Sequence, residues 1–241
     1  MPLLIALQFL TRLPVRLPGV PTPTETGRSL LWYPFVGLLI GGLLLLGYAL
    51  TSSVAVSLQA ALLLAAWVWL SGGLHLDGLA DTADAWVGGY GDRERTLEIM
   101  KDPACGPIGV ISLVLLLLLK WAALVALLEA GQWVVLLLAP WLGRWVLPLL
   151  LLTTSYVRPG GMGQMLSDHM PRRSLPALLA LHALAMLLCG WTGLLGVLVA
   201  ILVWTVVRHY LRERLGGTTG DTAGALVELV EMSVLLGWAL L

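Results

Sequence analysis

The uncharged apolar runs of this chain constrain its fold more than any other feature. Leu31–Leu50, Val54–Leu70, Ile108–Leu128, Trp133–Leu152, Leu175–Cys189, Leu194–Val207 and Ala225–Leu241 are the longest of them. A helix of roughly 17–25 apolar residues crosses the hydrocarbon core of a bilayer. Backbone polar groups inside lipid must be paired within the protein, and runs of this length meet that demand as helices. The expected fold is therefore all-α, a polytopic transmembrane helical bundle of about seven spans, built as one integral-membrane domain over residues 1–241. Composition agrees: 59% of the residues are hydrophobic and 12% charged, against about 25% charged in a soluble domain. The fifth and sixth runs are short and only Gly190–Gly193 separates them, so one bent helix is the competing reading there.

Charge placement supports seven spans. Arg12, Arg16 and Arg28 precede the first run, and Arg93, Arg95 and Lys101 follow the second. Arg158, Arg172 and Arg173 follow the fourth, and Arg208, Arg212 and Arg214 follow the sixth. These alternate segments hold twelve of the fourteen basic residues and the other connections hold none. Basic connections stay in the cytoplasm, so the expected topology has a cytoplasmic N-terminus, an external C-terminus, and cytoplasmic segments 1–30, 71–107, 153–174 and 208–224. This is the pattern of a bacterial inner-membrane protein. Met1–Leu10 lacks a leading positive charge and is expected to lie along the membrane surface, or to dock as a short helix, and not to be a cleaved signal. The balanced charge, 14 basic against 14 acidic residues, excludes a general nucleic-acid binder. Cys105 and Cys189 form no ligand motif.

Three acidic segments carry the chemistry. In Gly72–Asp84 (GGLHLDGLADTAD) the residues Asp77, Asp81 and Asp84 are spaced i, i+4 and i+7, which puts them within roughly 60° of one another on a helix. Like charges at this spacing repel, and a cation bridging them removes the conflict. Hard oxygen ligands suit Mg²⁺ or Mn²⁺. The competing reading is a solvated acidic face, but the residues between the aspartates (Gly78, Leu79, Ala80, Ala83) are small and apolar. Zinc is disfavoured, since His75 is the only imidazole nearby.

The second segment, Arg93–Gly109, puts Glu98 and Asp102 on one face beside Lys101, then breaks at Pro103 and Pro107. Gly106 and Gly109 permit close approach of a ligand to the backbone. The third, Gly216–Glu228, sets Asp221 and Glu228 seven residues apart at the start of the last span. Two basic residues fall inside spans. Lys120 is read either as interfacial or as functional, and Arg144, flanked by Trp141 and Trp145, is expected to face a cavity or a carboxylate partner. Glu231 points aside from Glu228 and is a candidate partner for either cation.

Acidic clusters on several helix ends with basic residues around them suit phosphoryl or nucleotidyl transfer. The Asp77-Gly78 step faintly resembles the Asp-rich helices of membrane CDP-alcohol phosphotransferases, but the remaining aspartates of that pattern are missing. An ion-coupled transporter is the alternative from another class. It requires ionisable residues near the midplane and on both sides, whereas here they crowd one side.

A closer resemblance covers essentially the whole chain. The string GGLHLDGLADTAD, followed by R-x-LEIMKD (Arg95–Asp102) and G-x-x-G (Gly106–Gly109), is similar to the cobalamin synthase family, the adenosylcobinamide-GDP ribazoletransferases. FLTRLPV at Phe9–Val15, PFVGLLIGG at Pro34–Gly42, Arg144, YVRPGGMG at Tyr156–Gly163 and GDTAGALVE at Gly220–Glu228 extend the likeness. Ala85 stands where that family commonly has Gly, and Pro103 where it commonly has Ser. The resemblance implies a membrane-embedded, Mg²⁺-dependent transferase. It joins adenosylcobinamide-GDP (a corrinoid-GDP) to α-ribazole or its 5′-phosphate, and GMP is released. Small-molecule substrates and the lipid bilayer are then the partners, and homo-oligomerisation is left open. Under this reading Asp77, Asp81 and Asp84 hold metal, with Asp102, Asp221 and Glu228 as a second group. Asp81 is also a catalytic residue, and His75 is a general base or else a histidine that orients an aspartate. Lys101, Arg144 and Arg158 contact phosphate, and Gly106 and Gly109 approach the substrate.

Overall fold

The computed structural model describes all 241 residues and is all-helical. Its helices are α1 (Pro2–Leu10), α2 (Pro23–Ser29), α3 (Tyr33–Leu50), α4 (Val56–Ser71), α5 (Leu74–Gly88), α6 (Arg93–Ile99) and α7 (Pro107–Glu129). They continue as α8 (Val135–Thr153), α9 (Gly161–Asp168), α10 (Leu175–Leu187), α11 (Gly190–Leu215) and α12 (Gly220–Ala239).

Five stretches are long and apolar enough to cross a membrane: Pro23–Leu50, α7, α8, α11 and α12. The bent pair α4 and α5 counts as a sixth candidate crossing, and α10 is a shorter apolar helix. The second run forms α4, only 16 residues long, and the chain then bends by 87° into α5. The bend falls at Gly72 and Gly73, with φ of +66° and +69°, a left-handed conformation open to glycine and costly for other residues. After it, α5, in the connection that follows the second run, packs against α7 and α12. The fifth run forms α10, which is 13 residues long and short for a crossing. α10 and α11 are separate helices, broken at Gly190 with φ +68°, so the single bent helix considered there does not form.

Burial is organised as in a membrane bundle. α8 is the central element, with 15 of its 19 residues buried, whereas α11 has 5 of 26 and α7 has 7 of 23. Leu115, Leu118, Leu198 and Leu202 on those outer helices are each more than half exposed, a surface that lipid and not water accommodates. α3 meets α8 backbone to backbone. A Cβ on Gly37 would stand 2.5 Å from the Pro140 carbonyl oxygen, and one on Gly41 would stand 2.7 Å from Leu137 Cα. Small residues one turn apart allow such contact where no hydrophobic effect drives helices together.

This contact generates a paired prediction. Gly41→Ala should destabilise the protein by about 1–3 kcal/mol through overpacking, read as a lower thermal midpoint in detergent. Gly42→Ala, whose added Cβ meets nothing within 4 Å, should leave the midpoint unchanged.

Candidate active site

Two helices bring the acidic residues together. α5 presents Asp77 and Asp81 along one strip, and Asp221 lies in the first turn of α12. The helices touch at glycines: a Cβ on Gly78 would lie 2.7 Å from the Asp221 carbonyl oxygen, and one on Gly224 would lie 3.2 Å from His75 Cα. Leu76 and Leu79 of α5 pack with Leu116 of α7 and Ala225 of α12 beside this crossing. Thr219 caps α12 reciprocally with Thr222, through Thr222 N–H to Thr219 Oγ1 at 3.2 Å and Thr219 N–H to Thr222 Oγ1 at 2.9 Å. The preceding loop is tied to residues 155–157, with Val157 N–H donating to Thr218 O and Thr218 N–H to Ser155 O, each at 2.9 Å. That tie sets Arg158 against Asp221, at 2.6 Å between Nη1 and Oδ2.

The carboxylates feel one another. Asp81 is pushed up to about 6, by partial burial first and then by the charges of Asp77 and Asp221, with Arg158 opposing and Asp84 adding slightly. Asp77, Asp221 and His75 wall a cavity of about 150 Å³ together with Phe9, Tyr156 and Thr219. Asp77 also borders a more polar recess on its other side, formed with Arg12, Thr11 and Ser71. Arg12 is anchored there by its own N–H to Leu70 O at 2.8 Å, and its side chain covers Gly72.

The remaining candidates lie elsewhere. Asp84 grips the start of α7, accepting from Gly106 N–H at 2.7 Å and from Gly109 N–H at 2.9 Å. It is a helix cap at the positive end of a 23-residue helix. Gly106 and Gly109 are glycine so that this carboxylate can approach: a Cβ on either would stand 2.5 Å from an Asp84 oxygen. Asp102 is exposed and turns back on Ala104 N–H at 2.9 Å, and Lys101 is exposed beside it. Glu228 is buried away from the aspartates, with Oε2 2.6 Å from Lys120 Nζ.

The six acidic residues read as metal ligands are thus divided among separate environments, and no three carboxylate, imidazole or thiol groups converge as a ready ligand set. Asp77 and Asp221 remain as the acidic residues of the cavity wall, with Asp81 one turn along α5 from Asp77.

Inside the bundle the charges form a closed set. Lys120 Nζ is also 2.6 Å from Glu231 Oε2, and Glu231 Oε1 pairs with Arg144 Nη1. Glu231 therefore partners both intramembrane cations. Arg144 Nη2 in turn lies 3.3 Å from His75 Nδ1. Sequence reasoning attached no site role to Arg12, Tyr156 or Thr219. Arg12 and Tyr156 belong to FLTRLPV and YVRPGGMG, and the signal that could have found them was the presence of polar residues in segments too short to span.

The comparisons with known proteins identify the family. A family model described as cobalamin-5-phosphate synthase matches residues 2–239. A protein of Ectopseudomonas mendocina named adenosylcobinamide-GDP ribazoletransferase is 65% identical, over 98% of this chain and 97% of its own length. Proteins of the same name from Pseudomonas fluorescens and Pseudomonas aeruginosa are 61% and 59% identical, covering 100% and 99% of this chain and 99% and 97% of their own. No solved structure matches. With nearly every residue matched by the family and by full-length relatives, the chain belongs to the cobalamin-5-phosphate synthase family.

Proposed function

We propose that this chain is an inner-membrane adenosylcobinamide-GDP ribazoletransferase, which joins adenosylcobinamide-GDP to α-ribazole or its 5′-phosphate and releases GMP. Family membership and full-length relatives carrying that name support the activity. The structural observation that carries it is that Asp77 and Asp221, from two helices, wall one cavity, with Asp81 one turn along α5 from Asp77 and Arg158 in contact with Asp221. In the reaction a ribose hydroxyl of the ribazole attacks the phosphorus on the cobinamide side of the diphosphate. A phosphodiester bond forms, the bond to the GMP oxygen breaks, and the hydroxyl proton leaves to a base.

Asp77, Asp81 and Asp221 are the residues that would hold Mg²⁺. They fit it: Mg²⁺ is commonly bound by one or two carboxylates, with water and substrate phosphate completing the shell, so a full protein cage is not needed. The ion would supply charge neutralisation for the diphosphate and the departing GMP. Arg158 shares its guanidinium between Asp221 and the substrate phosphate, and Arg12 and Lys101 supply further positive charge from neighbouring segments. The concentration of basic residues in alternate connections supports a cytoplasmic site. The closed Lys120, Glu228, Glu231 and Arg144 set argues against an ion pathway, because its charges are neutralised in place.

Purified protein given adenosylcobinamide-GDP, α-ribazole and Mg²⁺ should form GMP and the corrinoid product in equal amounts; neither product would appear if the assignment were wrong. Asp81→Asn should lower kcat by about 10²–10³-fold and leave the thermal midpoint unchanged or slightly raised, because it relieves repulsion. Mg²⁺ must displace the Asp81 proton, so apparent Mg²⁺ affinity should weaken about tenfold per pH unit below about 6. Above that value it should be flat. Titrations of Mg²⁺ dependence at several pH values would show the limb, and Asp81→Asn should abolish it.

A further inference from the structure

The two ring nitrogens of His75 have opposite surroundings. Nδ1 lies 3.3 Å from Arg144 Nη2. A guanidinium carries N–H donors only and keeps its charge in proteins, so Nδ1 is the acceptor of this contact. The single ring proton of a neutral imidazole then resides on Nε2. Nε2 is buried and has no hydrogen-bond partner in the protein, although His75 as a whole is 2% exposed and walls the cavity with Asp77 and Asp221. A buried N–H without an acceptor is unfavourable, and a ligand oxygen that reached this nitrogen would satisfy it.

Arg144 is not free to turn away. It is fully buried, and its other arm pairs with Glu231. The Glu231 carboxylate is held in place by Lys120 at 2.6 Å and packs against Gly143, where a Cβ would stand 2.8 Å from Glu231 Oε1. Lys120 is fixed in turn by Glu228 at 2.6 Å and by the Trp67 ring, 4.9 Å from its nitrogen. Two cations and two carboxylates balance without His75. No carboxylate remains to accept an Nδ1 proton, which is the partner that makes a histidine a good general base.

We infer that Arg144, clamped by Glu231, is a positioning residue that holds His75 in the Nε2–H form, and that His75 donates a hydrogen bond to a phosphate oxygen of the bound diphosphate and does not act as a general base. The substrate half of this inference rests on the proposed transferase activity, whereas the tautomer half rests on the geometry alone.

The test begins with the full-length wild-type protein in nanodiscs, carrying ¹⁵N-labelled histidine, with His75→Gln used to assign the signal. A pyridine-type Nδ1 and a pyrrole-type Nε2 are expected across neutral pH. A proton on Nδ1, an averaged signal or an imidazolium would overturn the inference. Arg144→Lys, which keeps the charge for Glu231 but loses the second arm, should average the two tautomers and lower kcat more than it alters KM. An unchanged tautomer would remove the positioning role of Arg144.

A second comparison needs no structural reporter. The Gln amide nitrogen reaches the place of Nε2, and the Asn amide nitrogen reaches only that of Nδ1. His75→Gln should therefore stay within about tenfold of wild-type kcat, while His75→Asn should lose about 10²–10³-fold, the usual cost of one donor to a developing oxyanion. Equal losses in both would defeat the donor role. Wild-type protein that forms no GMP would instead count against the transferase reading, with the tautomer result still standing.

Discussion

The site depends on the crossing of α5 and α12 at Gly78 and Gly224. With no Cβ on either glycine, the two backbones come close enough for Asp221 and Asp77 to wall one cavity. Gathering carboxylates in this way is unfavourable, as the raised Asp81 shows. The apolar packing of Leu76, Leu79, Leu116 and Ala225 on the same helices opposes that repulsion. The same crossing brings His75 against α12 and within reach of Arg144. A bulkier residue at Gly78 or Gly224 would separate the acidic group and disturb the histidine together.

Two electrostatic regimes therefore lie side by side. Near the cavity the negative charge is only partly compensated by Arg158. Deeper in the bundle Lys120, Glu228, Glu231 and Arg144 are matched one for one and hydrogen-bonded. Breaking a buried pair by removing one partner typically costs about 3–5 kcal/mol, so this set is rigid. A rigid neutral set is suited to orienting a neighbour such as His75.

Asp84 illustrates how a motif can hold two kinds of residue. It shares the strip of Asp77 and Asp81, and its spacing alone groups it with them. In the fold its two oxygens are taken by the backbone of Gly106 and Gly109. It fixes where α7 begins relative to α5, and so aligns the cluster without joining it. The two glycines owe their identity to that carboxylate.

Much of the architecture was legible from the chain. Apolar runs and alternating basic connections determined that it forms a multi-span helical bundle with its polar chemistry gathered in a few segments, because hydropathy and charge act locally along each helix. The Asp77–Asp84 string and the Gly220–Glu228 string were legible as chemistry for the same reason, since the spacing of residues on one helix sets their common face. What only the tertiary structure decided was partnership. Lys120 and Glu228 are 108 residues apart, and His75 and Arg144 are 69. The turn of α5 at Gly72–Gly73 depends on backbone angles that a hydropathy pattern does not encode. Which carboxylates stay free for a ligand, and which are spent on a lysine, an arginine or a helix end, follows from distances between helices that no local period specifies.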